Sequence, residues 1–162
     1  MQIYVLRHGV AEEAAPGQSD AARRLTDRGR SKLRTILARA REAGVAPDVI
    51  LTSPLARARE TAVIAKEELG IGDEIIETEV LVPFSTSVKV WEEIRVDYRD
   101  AAQILLVGHD PLFSDFVCFL TGAPAGRIVM KKGAIAFVEV ESPAQSPRGT
   151  LIWLLTAKTA GT

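Results

Sequence analysis

The stretch Leu6-Arg7-His8-Gly9 stands where an apolar, β-branched run, Gln2 to Leu6, comes to an end. Such a run predicts a buried strand, so a guanidinium and an imidazole are expected at its carboxyl end. In open α/β sheets this edge binds ligands, and a glycine lets the backbone turn there and pass close to one. The stretch therefore favours an α/β fold with a site at His8.

A second histidine ends a second apolar strand. The chain has two histidines, and His109 follows the run Ile104 to Gly108. A third predicted strand ends at Thr52-Ser53-Pro54, with Arg57 one helical turn beyond Ser53. Because parallel strands bring their carboxyl ends to one edge of a sheet, we expect these side chains to meet Arg7 and His8 there.

Composition narrows the class of protein. The 162 residues are 47% hydrophobic and 25% charged, with a formal net charge of -1, which predicts one soluble domain, 1–162, and argues against nucleic acid or membrane partners. The single cysteine, Cys118, excludes an internal disulfide, is expected in the core and fits a reducing compartment. No apolar run has the length of a membrane span or a signal segment. We therefore expect a cytoplasmic monomer.

Strand and helix signals alternate along the chain. They predict a three-layer α/β/α sandwich with a mostly parallel central sheet and antiparallel C-terminal strands. Helices are expected from Thr26 to about 43, from Ser53-Pro54 to 69, from Ser87 to about 98 and from Asp110-Pro111 to 121. Strands are expected over 2–6, 48–52, 74–78, 104–107, 128–130, 134–141 and 150–156, with loops over 10–24 and 79–86.

The residues gathered at the predicted edge favour an anion. Two imidazoles, two guanidinium groups and two helix N-termini all attract negative charge. A metal centre would need a further ligand, for which Asp110 and Glu79 are the available carboxylates, and it would stand beside two arginines. A phosphoryl group fits better, with one imidazole attacking phosphorus and the other neutralising its oxygens. We expect neither a metal nor a cofactor.

Four motifs, in order, resemble those of the histidine phosphatase superfamily, which also contains the cofactor-dependent phosphoglycerate mutases. They are Leu6-Arg7-His8-Gly9, Leu25-Thr26-Asp27-Arg28-Gly29, the segment from Ser53 to Ala62, and Val107-Gly108-His109-Asp110-Pro111. Within the superfamily, the chain is similar to the short SixA-type phosphohistidine phosphatases. Its Asp20-Ala21-Ala22-Arg23 resembles the loop of that branch, and the segment from Ile71 to Gln103 is too short for the helical subdomain of larger members.

The resemblance implies a role for each matched residue. His8 is the expected nucleophile, which becomes a transient phosphohistidine, while Arg7, Arg57 and His109 bind the phosphoryl oxygens in the transition state. Substrate-binding positions are expected at Gly9, Ser53 and Glu79. Members that cleave esters usually carry an acid after the third strand, where Glu79 is the nearest candidate and Val80 the alternative. A phosphohistidine depends less on such an acid, because an imidazole leaves more readily than an alkoxide.

Three functions remain open at this point. The first is dephosphorylation of phosphohistidine on a protein of a phosphorelay or phosphotransfer system, which an open pocket in a compact chain favours. The second is hydrolysis or transfer of a small phosphate ester, such as a sugar phosphate or a nucleotide. The third is a catalytically inactive module that only binds phosphorylated ligands. The basic run from Arg23 to Arg34 predicts a solvated face, with docking of an acidic partner as the alternative.

Overall fold

The computed structural model describes residues 1–72 and 74–161, in which a six-stranded sheet is flanked by helices. The strands are β1 (Gln2–Arg7), β2 (Val49–Thr52), β3 (Ile75–Glu77), β4 (Gln103–Gly108), β5 (Ile135–Val140) and β6 (Gly149–Leu155). The helices are α1 (Asp27–Glu42), α2 (Ala56–Leu69), α3 (Ser87–Asp97) and α4 (Leu112–Thr121). Asp73 and Thr162, which belong to the predicted domain, lie outside the described residues.

The sheet has the strand order β3-β2-β4-β1-β5-β6. Strands β1 to β4 run parallel, whereas β5 is antiparallel to β1 and β6 is antiparallel to β5. The two strands that precede the histidines are neighbours, and Arg7 at the end of β1 stands opposite Gly108 at the end of β4. The predicted mixed sheet is confirmed, and its topology places His8 and His109 side by side.

Helices cover both faces of the sheet. One core cluster joins β1, β2 and β4 to α1 and α2, and a second joins the opposite face to α3 and α4. Large side chains such as Leu33 of α1 and Phe116 of α4 are fully buried, and each contributes roughly 1.5–3 kcal/mol through the hydrophobic effect. The three-layer sandwich predicted from the alternating signals is therefore confirmed.

Two predicted helix starts are wrong by one or two residues. Helix α2 begins at Ala56 and not at Pro54, because the Ser53 hydroxyl accepts from the N–H of Leu55 at 3.3 Å within a turn that precedes the helix. Helix α4 begins at Leu112, although the Oδ1 of Asp110 still accepts from the N–H of Ser114 at 3.1 Å. Both turns leave the strand ends free to present side chains to the site.

Ser87, which the sequence predicts as the cap of α3, is instead the first residue of that helix, and the cap is Thr86. The Thr86 hydroxyl, and not that of Ser87, accepts from the N–H of Lys89 at 3.4 Å. The loop before it, predicted over 79–86, contains a 3₁₀ turn at Glu79–Leu81. A second such turn, Asp20–Ala22, interrupts the predicted loop 10–24.

The predicted strand over 128–130 does not form. The Met130 carbonyl instead accepts from Nη1 of Arg7 at 2.7 Å, and the Met130 N–H donates to the Ser114 hydroxyl at 3.0 Å. Side chains thus satisfy the backbone groups that a neighbouring strand would have used.

Within the described part of the chain, no helix is both long and apolar enough to cross a membrane.

Candidate active site

A cavity of about 300 Å³ opens at the carboxyl ends of β1 and β4. Its walls include Arg7 and His8 from the end of β1, His109 from the end of β4, and Arg57 from the first turn of α2. His8, Arg57 and His109 are 5%, 4% and 1% exposed, so they form its base. The structure therefore brings together the four residues predicted to carry the chemistry.

The hydrogen bonds of His8 fix its tautomer. Its Nδ1 lies 2.7 Å from the carbonyl oxygen of Gly9, which only accepts, so Nδ1 carries the proton. Its Nε2 lies 3.3 Å from Nε of Arg57, which only donates, so Nε2 holds the lone pair. Burial lowers the pKa of His8 to about 4, with help from the charges of Arg57, Arg7 and Lys132 and against the bond to Gly9. The ring is neutral near pH 7, with a basic nitrogen in the cavity wall.

The second imidazole faces the first. The ring centroids of His8 and His109 are 5.1 Å apart, and Nε2 of His109 shares a hydrogen bond of 2.8 Å with the Ser53 hydroxyl. Burial, together with the charges of His8 and Arg57, lowers the pKa of His109 to about 3. Its Nδ1 is buried without a hydrogen-bond partner among the described residues, as is Nε of Arg7. Because unpaired buried polar atoms are costly, both atoms suit a bound ligand.

Both arginines are held by the surrounding chain. Nη1 and Nη2 of Arg57 donate to the carbonyl oxygen and to Oδ2 of Asp20, at 2.8 and 3.0 Å. Nη1 of Arg7 donates to the Met130 carbonyl at 2.7 Å and lies 3.5 Å from Oδ2 of Asp110. Guanidinium groups fixed in this way can offer paired donors to a tetrahedral oxyanion at little further entropic cost.

Gly9, Ser53 and Glu79, the three predicted substrate-binding positions, do not line the cavity. The N–H of Gly9 donates to the Thr61 hydroxyl at 3.2 Å, and a Cβ at Gly9 would stand 2.7 Å from Cδ1 of Leu33. The close approach of Leu33 from α1 therefore favours glycine at this position. Ser53 is fully buried and bonds to His109, whereas Glu79 is exposed on its 3₁₀ turn.

Seven further residues line the cavity that the sequence did not assign to phosphoryl binding, namely Asp20, Arg23, Ala11, Pro83, Phe84, Asp110 and Lys132. The motif around Asp20-Ala21-Ala22-Arg23 offered a signal for the first two. Lys132 offered none, because its place depends on the N–H of Gly133, which donates to the carbonyls of Arg7 and His8 at 3.1 and 2.9 Å. That contact holds a lysine from a distant loop against the end of β1.

The segment after β3 contributes Pro83 and Phe84 to the cavity, and neither Glu79 nor Val80. The carboxylates in the described part of its wall are Asp20 and Asp110, which both bond to arginines. Four cationic side chains line the same wall. In residues 1–72 and 74–161, no group of three or more His, Cys, Asp or Glu side chains is placed to hold a metal ion.

Three of the six basic residues in the predicted run form ion pairs with glutamates of α2. Arg24 and Arg30 pair with Glu60 at 2.9 and 2.6 Å, and Arg34 pairs with Glu67 and Glu68 at 3.1 and 2.7 Å. These exposed pairs lie between α1 and α2. The arrangement agrees with the solvated face that the run predicts.

Sequence comparison identifies relatives of the chain. The sequence model described as the histidine phosphatase superfamily (branch 1) matches residues 3–82. An uncharacterized protein of Picosynechococcus sp. is 32% identical over 139 residues, which cover 83% of this chain and 82% of that protein. The mitochondrial serine/threonine-protein phosphatase Pgam5 of Drosophila ananassae is 29% identical over 180 residues. This match covers 92% of the chain but only 60% of the Drosophila protein.

A solved structure shares the whole fold. It is that of the protein histidine phosphatase SixA in complex with tungstate, with a TM-score of 0.87 and 26% sequence identity. The superposition covers 98% of each chain. The order of strands and helices described above is therefore that of a known phosphatase.

Proposed function

The chain belongs to the histidine phosphatase superfamily, and we propose that it removes the phosphoryl group from a phosphohistidine of another protein. The observation that carries this proposal is the state of His8. Its proton is held on Nδ1 by the Gly9 carbonyl, which leaves the lone pair of Nε2 in a cavity rich in positive charge. A neutral imidazole beside guanidinium groups is suited to attack phosphorus.

The surrounding groups would bind the oxygens of the phosphoryl group. Arg57 donates to Nε2 of His8, and Arg7 and His109 line the same cavity. The lowered pKa keeps His109 neutral near pH 7, and the charge of a bound phosphate dianion would raise that pKa and favour protonation. Charge that develops on the oxygens in the transition state is then stabilised by fixed donors.

The reaction takes two steps. A bond forms between Nε2 of His8 and phosphorus while the substrate's P–N bond breaks, and the departing imidazole takes the electron pair and then a proton from solvent. Water then attacks phosphorus, the bond to Nε2 breaks, and inorganic phosphate leaves with His8 restored. Each step moves one phosphoryl group and requires no oxidant or reductant.

The leaving group decides between substrates. An alkoxide needs a proton donor near the mouth of the cavity, and the segment after β3 places Pro83 and Phe84 there. The charges and hydrogen bonds of Arg57 and Arg23 outweigh burial and lower the pKa of Asp20, so this carboxyl is a poor acid. An imidazole leaves without a strong acid, which supports phosphohistidine over a phosphate ester. The name of the SixA structure, a protein histidine phosphatase, agrees with this choice.

A direct test measures turnover of a histidine phosphotransfer domain, phosphorylated with phosphoramidate, beside turnover of p-nitrophenyl phosphate. The variants are His8→Asn and, as a matched control, Arg28→Ala, which alters an exposed residue of the basic run. We expect kcat/KM for the phosphoprotein to exceed that for the ester by about 100-fold or more, which corresponds to roughly 2.7 kcal/mol in the barrier. Arg28→Ala should match the wild type, and His8→Asn should be inactive.

The intermediate provides a second readout. Alkaline quenching during turnover should trap a phosphorylated enzyme whose label is stable in alkali, labile in acid and absent from His8→Asn. A faster reaction with the ester would assign the protein to the small-molecule phosphatases. Binding of inorganic phosphate without turnover of either substrate would assign it to the non-catalytic binding modules.

A further inference from the structure

We propose that Phe84 anchors the protein substrate, by packing against an apolar side chain that lies beside the phosphohistidine on the partner's surface. This inference rests on the proposed function and names the surface that would select a protein over a small molecule. The partner is a folded protein with the phosphorylated histidine and an exposed aliphatic or aromatic side chain on one face.

Phe84 is fully displayed to solvent at the mouth of the cavity. Its side chain is 97% exposed, while the other exposed large hydrophobic residues of the described chain are at most 57% exposed. It lines the cavity whose base holds His8 and His109, at 5% and 1% exposure. Burial of a phenyl ring that lies in water is favourable, so an exposed ring at the mouth of a site can bind an apolar side chain of a partner.

The loop that carries Phe84 is fixed at both ends. Before it, Leu81 is fully buried, and its carbonyl oxygen lies 3.2 Å from the position that a Cβ on Gly108 would take. After it, the N–H of Ser85 donates to the Val82 carbonyl at 3.1 Å, and Thr86 caps α3. A ring presented from a loop held in this way loses little backbone entropy when a partner binds.

The position of Phe84 separates two classes of substrate. A phosphoryl group held by Arg7, Arg57 and His109 lies at the base of the cavity, and a small leaving group fits within its volume of about 300 Å³. A protein surface extends beyond the mouth and reaches the exposed ring. Lys132, which is also exposed and lines the cavity, adds a positive charge that favours an acidic side chain on the same partner.

The experiment compares two substrates that contain the same P–N bond of a phosphohistidine. One is a histidine phosphotransfer domain phosphorylated with phosphoramidate, and the other is free phosphohistidine. The variants are Phe84→Ala, Phe84→Leu and the control Val96→Ala, which trims another exposed apolar residue, 57% exposed, on α3. Phe84→Ala should lower kcat/KM for the phosphoprotein about tenfold or more, as the loss of an aromatic anchor does, and should change that for free phosphohistidine less than about twofold.

The control and the leucine variant sharpen the result. Val96→Ala should behave as the wild type with both substrates, and Phe84→Leu should keep most of the activity on the phosphoprotein because it remains apolar. Equal losses with both substrates, or no loss with either, would overturn the role of Phe84. The proposed function fails separately, since in that case the wild type itself would not cleave the phosphoprotein. Activity on free phosphohistidine also reports that each variant is folded.

Discussion

Nε of Arg57 donates a hydrogen bond to Nε2 of His8 across 3.3 Å, so the arginine orients the atom that is proposed to attack phosphorus. The same guanidinium is held from the other side by Asp20. A substrate that draws the Arg57 donors onto its own oxygens would release the lone pair of Nε2 as it binds. Arg57 would thereby couple binding of the phosphoryl group to release of the lone pair on Nε2 of His8.

The protonation state of the histidines gives the first prediction. Burial lowers the pKa of His8 to about 4 and that of His109 to about 3. Neither ring should titrate between pH 8 and 5 in the free protein, whereas an ordinary histidine titrates near pH 6.5. NMR of the ring resonances against pH tests this, and the ring nitrogen shifts should show the proton of His8 on Nδ1.

The chain itself simplifies that measurement. It has two histidines, so His109→Gln assigns the two sets of resonances. Saturation with inorganic phosphate should raise the pKa of His109, because the dianion favours the charged ring. Titration of His8 near pH 6.5 without phosphate would contradict the buried geometry.

Stability against pH gives the second prediction. For a histidine with a lowered pKa in the folded state, the unfolded chain takes up the proton first as the pH falls. The free energy of unfolding should therefore decrease as the pH drops from about 7 toward 4, by about 2 kcal/mol for His109 between pH 7 and 5. Urea unfolding of the wild type and of His109→Gln at pH 7 and pH 5 measures this, since the variant lacks that ionisation.

The wild type should lose more stability than His109→Gln over this interval. Carboxylates titrate in both proteins and cancel in the comparison. An equal loss in the two proteins would mean that His109 is protonated in the folded state at pH 5, and hence that its ring is hydrated.

Ser53 gives the third prediction. Its hydroxyl is bonded to Nε2 of His109 at 2.8 Å in a fully buried place, so Ser53 is a positioning residue for the second imidazole. Ser53→Ala leaves that nitrogen unpaired and should cost about 1–3 kcal/mol of stability. It should also lower kcat several-fold with little change in KM, because Arg7 and Arg57 still bind the phosphoryl group while His109 no longer supports its transition state.

The pH titration distinguishes positioning from packing. In Ser53→Ala the phosphate-induced rise in the pKa of His109 should shrink, because a loosened ring no longer meets the oxyanion. Ser85→Ala provides the matched control, since the Ser85 hydroxyl is also buried but has no hydrogen-bond partner among the described residues. A Ser53→Ala protein with wild-type kcat would show that His109 needs no support from Ser53.

The sequence could predict the base of the cavity but not its mouth. Arg7, His8 and His109 directly follow apolar strands, so the rule that parallel strands end at one edge of a sheet places them together. Phe84 and Lys132 belong to loops, whose positions depend on contacts such as the Gly133 N–H on the carbonyls of β1. Such contacts between distant segments leave no periodic signal in the sequence.

The predicted substrate-binding positions also show what the sequence alone does not determine. The sequence predicts that Gly9 lets a ligand approach the backbone. In the structure, Cδ1 of Leu33 from α1 approaches this position closely. Ser53 stands beside the site but bonds to another side chain of the protein. A glycine in the sequence indicates that another group can approach the backbone, and a serine indicates a hydroxyl. Which group contacts them depends on how α1 and β4 pack.

Asp20 gives the fourth prediction. Its carboxylate accepts from Arg57 and Arg23 at 3.0 and 2.9 Å at the wall of the cavity, where it competes with phosphate for the same guanidinium. Asp20→Asn removes this charge but keeps an oxygen acceptor and leaves the backbone carbonyl that binds Arg57. Inorganic phosphate should bind more tightly by roughly two- to fivefold, a modest gain because the Asp20 side chain is largely exposed and screened.

Calorimetric titration with phosphate at low and at moderate ionic strength tests the electrostatic origin of this gain. Asp27→Asn is the matched control, because it removes the same charge from an exposed ion pair with Arg30 outside the cavity wall. The gain for Asp20→Asn should exceed that of Asp27→Asn and should diminish as salt is added. Weaker binding in Asp20→Asn would show instead that the carboxylate is needed to hold Arg57 in place, and that the bracing of the guanidinium outweighs the competition for it.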